Sequence, residues 1–391
     1  MEFIYIFVNP ESGGKSAYNF IEPCVDELKF SKPVPHIIRI YSIFEGESGN
    51  KPGFIHLKKL VSEKRADDGI KVIIAGGDGS LTWVISEVEK HGISTEDIVF
   101  GIVPYGTGND FARAVKWNKF HNLKPFVDNL RPLRGLVEKI LNAECAAHDF
   151  WHILITVEPE GSFNQINSNT RTKQTVFDIN GDEVKKMEFM MGNYFSIGTE
   201  SRIGRGFDRR RSFSTGMNKF RYLMEGIKRS VLGQVFVDKQ IDKMLTGELY
   251  NDIVFVTEKN DENVPVLPKT VSFIATNIPS FAAGVDCFKG KHLGLSNLSK
   301  GESSKLFQAS QRMGDGQLEF TCYKAVSHMA LDLLASGHSR RVHVGKGPWK
   351  IVFKQLSPAE KTYFQIDGEF FVMFQPKEVE IKHVKTIRVL V

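Results

Sequence analysis

The chain has 391 residues, of which 41% are hydrophobic and 25% are charged, and its formal net charge is +5. This length exceeds the usual size of one domain, and the composition supports a packed core without disulfides or structural metal. No apolar run approaches the ~20 residues of a membrane-spanning helix, and the four scattered cysteines fit neither a zinc site nor a disulfide scaffold, so a reducing, cytosolic compartment is favoured.

The first part of the chain repeats one arrangement three times: an apolar run, a glycine-rich turn and an amphipathic segment. The runs are residues 3–8, 72–75 and 98–103, and the turns that follow them are residues 9–16, 76–80 and 104–110. A helix is predicted to begin near Phe111, with Asn109 or Asp110 as its cap. The repeat predicts an α/β N-terminal domain over residues 1–145, with a parallel sheet and its turns at one edge.

Beyond residue 145 the pattern changes to alternating strands separated by tight turns. Strands are predicted at residues 148–157, 187–196, 271–276, 318–323, 349–353 and 362–366, a helix at 219–232, and loops at 158–173 and 259–268. This pattern predicts a β-rich antiparallel second domain over residues 146–375. Residues 376–391 form a C-terminal segment that could return to the first domain.

The three glycine-rich turns are candidates for binding a triphosphate. Glycines allow successive main-chain N–H groups to point at an anion, and a helix N-terminus adds partial positive charge, so ATP is the predicted ligand. Residues 9–16 nearly match the P-loop pattern, but Asn9 occupies the first glycine position, which argues against a Walker-type loop. Lys15 could contact a phosphate or be a solvated loop lysine.

Two of the turns also contain an aspartate, Asp78 and Asp110. A carboxylate beside a phosphate repels it unless a cation lies between them, and Mg2+ prefers carboxylate, water and phosphate oxygens. The sequence therefore predicts a magnesium ion at these turns. Asp110 could alternatively serve only as a helix cap.

A basic stretch lies between Glu200 and Ser230, where nine basic residues oppose three acidic ones. One interpretation is electrostatic contact with an anionic membrane surface, to which each basic residue contributes about 1 kcal/mol. The other is an ordinary charged face or loop. Nucleic-acid binding is a weaker hypothesis, because no nucleic-acid motif accompanies the stretch.

The turns together resemble the catalytic domain of the diacylglycerol kinase family. The matching motifs are Asn9-Pro-Glu-Ser-Gly-Gly, Gly76-Gly-Asp-Gly-Ser and Pro104-Tyr-Gly-Thr-Gly-Asn-Asp. The later motifs resemble the accessory domain of the eukaryotic members: His148-Asp-Phe-Trp, Asn193-Tyr-Phe-Ser-Ile-Gly, Asn277-Ile-Pro-Ser, Gly314-Asp-Gly-Gln-Leu-Glu and Gln365-Ile-Asp-Gly-Glu. They occur in the order and with the separations typical of that family.

The resemblance implies an ATP-dependent kinase that uses Mg2+ to phosphorylate diacylglycerol to phosphatidic acid, with its active site in an interdomain cleft. Carried over by position, and joined to the turns identified above, the candidate ATP-binding residues are Asn9, Ser12, Gly13, Gly14, Lys15, Gly76, Gly77, Asp78, Gly79, Ser80, Gly106, Thr107 and Asn109. Asp78, Asp110 and Asp149 are implied to form a catalytic aspartate network around magnesium. Glu369 is implied to be the general base, and Asp315 a second, structural magnesium ligand.

Two residues depart from the family pattern: Ser80 replaces a threonine and Tyr105 replaces a common leucine. The cysteine- and histidine-rich lipid-binding modules of most eukaryotic members do not occur in the sequence. From all these features we expect a cytoplasmic protein that contacts anionic membrane peripherally and takes a membrane lipid as substrate. We do not expect it to bind nucleic acid. The oligomeric state is left open.

Alternative functions remain at this point. A sphingoid-base or ceramide kinase would share the same motifs, because pocket shape decides the lipid acceptor. A non-catalytic regulator that binds lipid or nucleotide on an inactive kinase scaffold is a second alternative, which the presence of Asp78, Asp110, Asp149 and Glu369 disfavours.

Overall fold

The computed structural model describes residues 1–64, 69–106, 108–120, 123–167, 172–199, 201, 235–259, 261–282 and 284–391. The chain divides into two units, which we call unit 1 (Met1–His148 and Thr386–Val391) and unit 2 (Asp149–Lys385). The predicted helix at 219–232 and the basic residues between Arg202 and Arg229 lie outside the described residues. In the described ranges, no helix combines the length and the apolarity needed to cross a bilayer.

Unit 1 combines a mainly parallel sheet with helices. The bounds of its elements are β1 Glu2–Val8, β2 Glu27–Phe30, β3 His36–Ser42, α1 Pro52–Glu63, β4 Gly69–Gly76, α2 Asp78–Lys90, β5 Val99–Pro104, α3 Asp110–Ala114 and α4 Arg131–Asn142. Strand β1 pairs in parallel with β3 on one side and with β4 on the other, and β4 pairs in parallel with β5. Strand β2 is antiparallel to β3.

The order of the strands places the glycine-rich turns together. The turns follow β1, β4 and β5, and the carboxyl ends of parallel strands lie at one edge of a sheet. The central strand β1 is apolar after Glu2, and its residues from Ile4 to Val8 are fully buried, as expected for a parallel strand covered on both faces. The predicted apolar face of α2 is also buried: Leu81, Val84, Ile85 and Val88 are each at most 3% exposed.

The first turn departs from the predicted strand–turn–helix repeat. A short 3-10 helix, Ser16–Phe20, follows it in place of an α-helix. Three successive residues, Gly13, Gly14 and Lys15, have positive φ angles. The chain therefore passes through three left-handed residues before it becomes helical at Ser16.

Unit 2 is dominated by antiparallel strands. The bounds are β6 Cys145–Ile166, β7 Lys173–Thr175, β8 Lys186–Met191, β9 Tyr194–Gly198, β10 Ile241–Thr246, β11 Asp252–Val256, β12 Ser272–Thr276, β13 His292–Leu293, α5 Lys300–Gln308, β14 Leu318–Tyr323, α6 Val326–Leu334, β15 Arg340–Gly345, β16 Trp349–Phe353, β17 Lys361–Ile366 and β18 Glu369–Leu390. The chain leaves unit 1 within β6 and returns to it within β18, where Arg388 pairs in parallel with Val99 of β5.

The strands of unit 2 follow one another as antiparallel neighbours in the order β15, β14, β12, β9, β17, β18, β16, β10 and β11. Strand β6 pairs antiparallel with β7 and β8. One face of these strands forms a core in which Trp151 and Trp349 lie with ring centroids 5.5 Å apart. Unit 2 therefore has the antiparallel, β-rich architecture that the sequence predicts.

Two sequence predictions in unit 2 are wrong. Residues 158–166 of the predicted loop are strand, because β6 continues to Ile166, and Phe163 and Ile166 on its inward face are buried. Their polar neighbours hid this alternation in the sequence. The predicted strand 187–196 is two strands, β8 and β9, because the N–H groups of Gly192 and Asn193 donate to the Asp367 carboxylate instead of continuing the ladder.

Candidate active site

The three glycine-rich turns of unit 1 touch one another through their main chains. A Cβ added to Gly106 would lie 2.7 Å from Cα of Gly77, and one added to Gly13 would lie 2.9 Å from the Tyr105 carbonyl oxygen. The N–H of Tyr105 donates to the Gly76 carbonyl at 2.8 Å. Glycine is therefore required at these contacts because any side chain would separate the turns.

Asn9 links the first turn to the second. Its Nδ2 donates to Oγ of Ser80 at 2.9 Å, and its Oδ1 accepts from the N–H of Glu11 at 3.2 Å. Its main-chain N–H donates to the Ala75 carbonyl at 2.9 Å. An asparagine at the first glycine position of a P-loop pattern thus has a structural role here, and the hydroxyl of Ser80 is the group it needs.

Asp78 joins the second turn to the third. It begins α2, and its Oδ2 accepts from the N–H of Asp110 at 2.9 Å and lies 3.5 Å from the N–H of Phe111. The cap of α3 is therefore supplied by Asp78 from another turn. Asn109 occupies the N-cap position of α3, as predicted, but its backbone is left-handed with φ 50° and its side chain makes no cap hydrogen bond.

The structure brings Asp78 and Asp110 together at the edge that carries the turns. Asp110 is 1% exposed. Two carboxylates beside main-chain N–H groups fit a magnesium ion, which proteins hold through one or two carboxylates while waters and substrate phosphates complete the shell. Over the described residues, no group of three or more histidine, cysteine, aspartate or glutamate side chains forms a metal cluster.

The other predicted residues of the turns lie on their accessible side. Ser12 is half-buried, and Gly14, Lys15 and Gly79 are exposed. The Nζ of Lys15 lies 4.0 Å from a carboxylate oxygen of Glu11. Thr107 lies outside the described residues.

Asp149, in unit 2, is held by two donors from distant parts of the chain. Its Oδ2 accepts from the N–H of Gly316 at 2.7 Å, and its Oδ1 lies 2.9 Å from Nε2 of His383. The carboxyl group is fully buried. Sequence reasoning missed His383, and no sequence signal identifies it, because it is 234 residues from Asp149 and belongs to no motif.

Asn277 brings the accessory motifs together around Asp149. Its Nδ2 donates to the carbonyls of Asp149 at 2.8 Å and Gly192 at 2.6 Å, and its Oδ1 accepts from the indole N–H of Trp151 at 2.9 Å. All of these groups are in unit 2. The motifs that begin at His148, Asn193 and Asn277 therefore form one hydrogen-bonded cluster.

Asp315 is hydrogen-bonded within its own turn and lies near the buried carboxyl group of Glu319. Its Oδ1 accepts from the N–H of Gln317 and its Oδ2 from the Gln317 amide, both at 3.0 Å. The Asp315 side chain therefore stabilises its own turn through these two hydrogen bonds. A magnesium ligand role for Asp315 stays a prediction.

Glu319 ends the same motif and is a buried carboxyl group that the sequence did not single out. It is 1% exposed, and its Oε2 accepts from Nε2 of Gln311 at 2.9 Å. Burial, reinforced by the charge of Asp315, raises its pKa to about 9. Glu319 is therefore uncharged at neutral pH.

The turn before β18 presents Glu369. Asp367 anchors this turn, because its carboxylate accepts the N–H groups of Gly192, Asn193 and Tyr194 at 2.8–2.9 Å. Burial raises the pKa of Asp367 to about 6 despite these three donors. Glu369 itself is exposed, and desolvation by the surrounding protein raises its pKa as well. A raised pKa suits a group that must accept a proton.

Two family models match the chain. The model for the diacylglycerol kinase catalytic domain matches residues 4–140, and the model for the diacylglycerol kinase accessory domain matches residues 190–370. The two matched regions correspond to the turns of unit 1 and to most of the motifs of unit 2.

Curated relatives and a solved structure are also similar. Diacylglycerol kinase 2 of Arabidopsis thaliana is 26% identical over 80% of this chain and 37% of its own length, and diacylglycerol kinase theta of Mus musculus is 24% identical over 94% and 33%. The chain thus spans about a third of the length of these relatives. The crystal structure of a putative diacylglycerol kinase from Bacillus anthracis str. Sterne superposes on this chain with a TM-score of 0.49 and 12% sequence identity. The superposition covers 98% of this chain and 96% of that one.

Proposed function

Because the chain belongs to the diacylglycerol kinase family, we propose that it transfers the γ-phosphate of ATP to the hydroxyl of diacylglycerol and so forms phosphatidic acid. The observation that carries the proposal is the joining of three glycine-rich turns at one sheet edge, with the Asp78 carboxylate on the N–H of Asp110. Phosphoryl transfer needs positioned reactants and neutralised phosphate charge more than covalent chemistry. These turns offer both.

In the proposed mechanism, the main-chain N–H groups of the turns bind the phosphates. Asn9 and Ser80 fix the first two turns relative to each other, and Asp78 fixes the third through the start of α3. Magnesium, held by Asp78 and Asp110, would supply the positive charge that the triphosphate requires. Asp149 is the third proposed member of the aspartate network, and Gly316 and His383 orient its carboxylate within unit 2.

Glu369 is the proposed acceptor of the hydroxyl proton. General-base catalysis requires a group with a pKa close to the working pH. Desolvation raises the pKa of Glu369 in that direction, and the three N–H bonds to Asp367 hold its turn in place. The alcohol oxygen then attacks the γ-phosphorus as its proton passes to Glu369, and ADP leaves.

The direct test is phosphorylation of diacylglycerol in mixed micelles with radiolabelled ATP and magnesium. We expect labelled phosphatidic acid from the wild-type chain and none from Asp78→Asn, which is matched in size. Parallel reactions with sphingosine and ceramide identify the acceptor class, and preference for either would replace diacylglycerol as the substrate. Saturable ATP binding without any lipid product would instead indicate a non-catalytic regulator.

Peripheral contact with anionic membrane is a further part of the proposal. The support is the excess of basic residues between Glu200 and Ser230, since anionic lipid attracts such segments. At matched diacylglycerol content, we expect faster turnover on vesicles that contain phosphatidylserine than on neutral vesicles. Equal rates would remove the membrane-contact proposal and leave the kinase proposal intact.

A further inference from the structure

A pocket lies in unit 1, at the edge of the sheet that does not carry the glycine-rich turns. It has a volume of about 670 Å³ and is formed by the connection between β2 and β3 and by one side of α4. Pockets of ~300–1,000 Å³ are typical of small-molecule sites. Its volume is therefore sufficient for a ligand of two fused rings.

The topology separates this pocket from the turns. His36 is the first residue of β3, and β3 runs parallel to β1 and β4, whose carboxyl ends lead into the turns. A strand of seven residues spans ~20 Å. The pocket and the candidate ATP site are consequently at opposite edges of one sheet.

A stacked pair of rings forms part of the pocket wall. Phe30 and His36 have ring centroids 5.0 Å apart and an interplanar angle of 15°. Aliphatic side chains of Ile38, Leu133 and Val137 complete an apolar lining. Such a wall favours a flat, apolar body through contact with the ring faces.

His36 gives the pocket a buried polar atom. The residue is 4% exposed, and its Nδ1 lies 2.7 Å from the Val34 carbonyl oxygen. A carbonyl can only accept, so Nδ1 carries the proton of this bond, and Nε2 is the ring nitrogen that can accept a hydrogen bond from a ligand. Over the described residues, no hydrogen bond involves this Nε2.

The rim of the pocket carries an excess of positive charge. Lys29, Lys32 and Arg134 line it together with a single carboxylate, Glu138. The ammonium of Lys29 pairs with Glu27 at 2.9 Å. Within the described part of the chain, neither Lys32 nor Arg134 forms an ion pair, so their charges are available to an anionic ligand.

We propose that this pocket binds a small aromatic acid: a flat apolar ring, a carboxylate that pairs with Arg134 and Lys32, and a hydroxyl that donates to Nε2 of His36. This site is separate from the proposed kinase site, and it can be tested by binding without any turnover.

A suitable probe is 6-hydroxy-2-naphthoate, compared with 2-naphthol, which keeps the rings and the hydroxyl but lacks the carboxylate. Ligand fluorescence titration of the full chain should show saturable binding, with the acid about tenfold tighter than the naphthol. Saturating ATP and magnesium should leave the acid bound. Displacement by ATP, equal affinity for the two compounds, or no saturable binding at millimolar concentration would each overturn the proposal.

Variants on the same helix locate the site. Arg134→Glu should remove the tenfold advantage of the acid, whereas the control Arg131→Glu, an exposed α4 residue outside the pocket, should retain it. His36→Phe keeps the stacked ring and should weaken both compounds about fivefold, because it removes Nε2. Circular dichroism verifies that each variant is folded. Retention of the advantage in Arg134→Glu, or unchanged affinity in His36→Phe, would contradict the assigned contacts.

Discussion

The candidate site residues of unit 1 and those of unit 2 are held in different ways. In unit 1 they lie on turns that follow neighbouring parallel strands, and contacts between glycine main chains bring the turns together. In unit 2 they are held by side chains that bond to segments far away in the sequence, among them the buried Asn277 and the half-buried Asp367. Parallel topology thus assembles the first set, and individual hydrogen bonds assemble the second.

In unit 1, we predict that the charge of Asp78 matters more for activity than the shape of its side chain. Asp78→Asn keeps an oxygen for the N–H of Asp110 but removes the charge that would hold magnesium. We expect kcat to fall about 1,000-fold while the free energy of unfolding changes by less than about 1 kcal/mol. Asp78→Ala should lose activity equally and also lose the cap of α3. Full activity in Asp78→Asn would refute the proposed role.

Glu369 provides the corresponding test in unit 2. Glu369→Gln is similar in size but cannot accept the proton, so we expect kcat to fall about 100-fold with little change in the KM for ATP. Steady-state kinetics measures both constants. The control is Glu248→Gln, another exposed turn glutamate of unit 2, which should behave as wild type. A kcat equal to that of the control would exclude Glu369 as the base.

The buried carboxyl group of Glu319 should make the free energy of unfolding depend on pH. The pKa of Glu319 rises from its ordinary 4.5 to about 9 on folding, so the unfolded chain releases this proton first. Its contribution to stability is complete below pH 4.5 and is lost as the pH rises to about 9. Glu319→Gln lacks this dependence, so its advantage over wild type should grow by about 1.4 kcal/mol for each pH unit between 4.5 and 9.

Urea unfolding of wild type and Glu319→Gln at pH 5, 7 and 9 measures this effect. The two free energies should differ most at pH 9 and converge or cross towards pH 5. Parallel pH profiles would show that Glu319 does not carry the shifted pKa.

The hydrogen bond between His383 and Asp149 should contribute a smaller amount to the free energy of unfolding. His383→Leu removes the donor to Oδ1, and we expect a loss of about 1–2 kcal/mol in the free energy of unfolding. His383→Gln, which restores an N–H donor, should recover part of it. Equal stability of all three proteins in urea would show that this contact does not orient Asp149.

The smallest expected effect is at Tyr105. Its hydroxyl donates to the Leu123 carbonyl at 2.5 Å, and burial raises its pKa. Tyr105→Phe keeps the ring between the turns and should cost about 1 kcal/mol in thermal unfolding, with activity near that of wild type. A large loss of activity would mean that the hydroxyl, and not only the main chain, positions the third turn.

The difference between the two units also explains what the sequence could predict. The turns of unit 1 were predictable because each follows an apolar strand, and parallel strands place their carboxyl ends together. The Asp78 bond to Asp110 spans 32 residues and is a consequence of that rule. The position of the α3 cap at Asn109 was predictable, but the acceptor of the first N–H group of α3, Asp78 from another turn, was not.

In unit 2 the motifs were recognisable, but their contacts were not. Asn277 reaches Asp149 across 128 residues and Gly192 across 85. No period or local propensity encodes such partners, since long-range hydrogen bonds depend on tertiary packing. The same limit applies to His383 and to the division of residues 187–196 into two strands at Gly192.

The return of β18 to unit 1 has a consequence for biosynthesis. Residues Thr386–Val391 provide the parallel neighbour of β5, so this sheet edge stays open until those residues have left the ribosome. Open strand edges pair readily with other chains. A nascent chain that has been synthesised through His148 would therefore keep this edge unpaired throughout synthesis of the next 237 residues, which makes chaperone binding valuable during that interval.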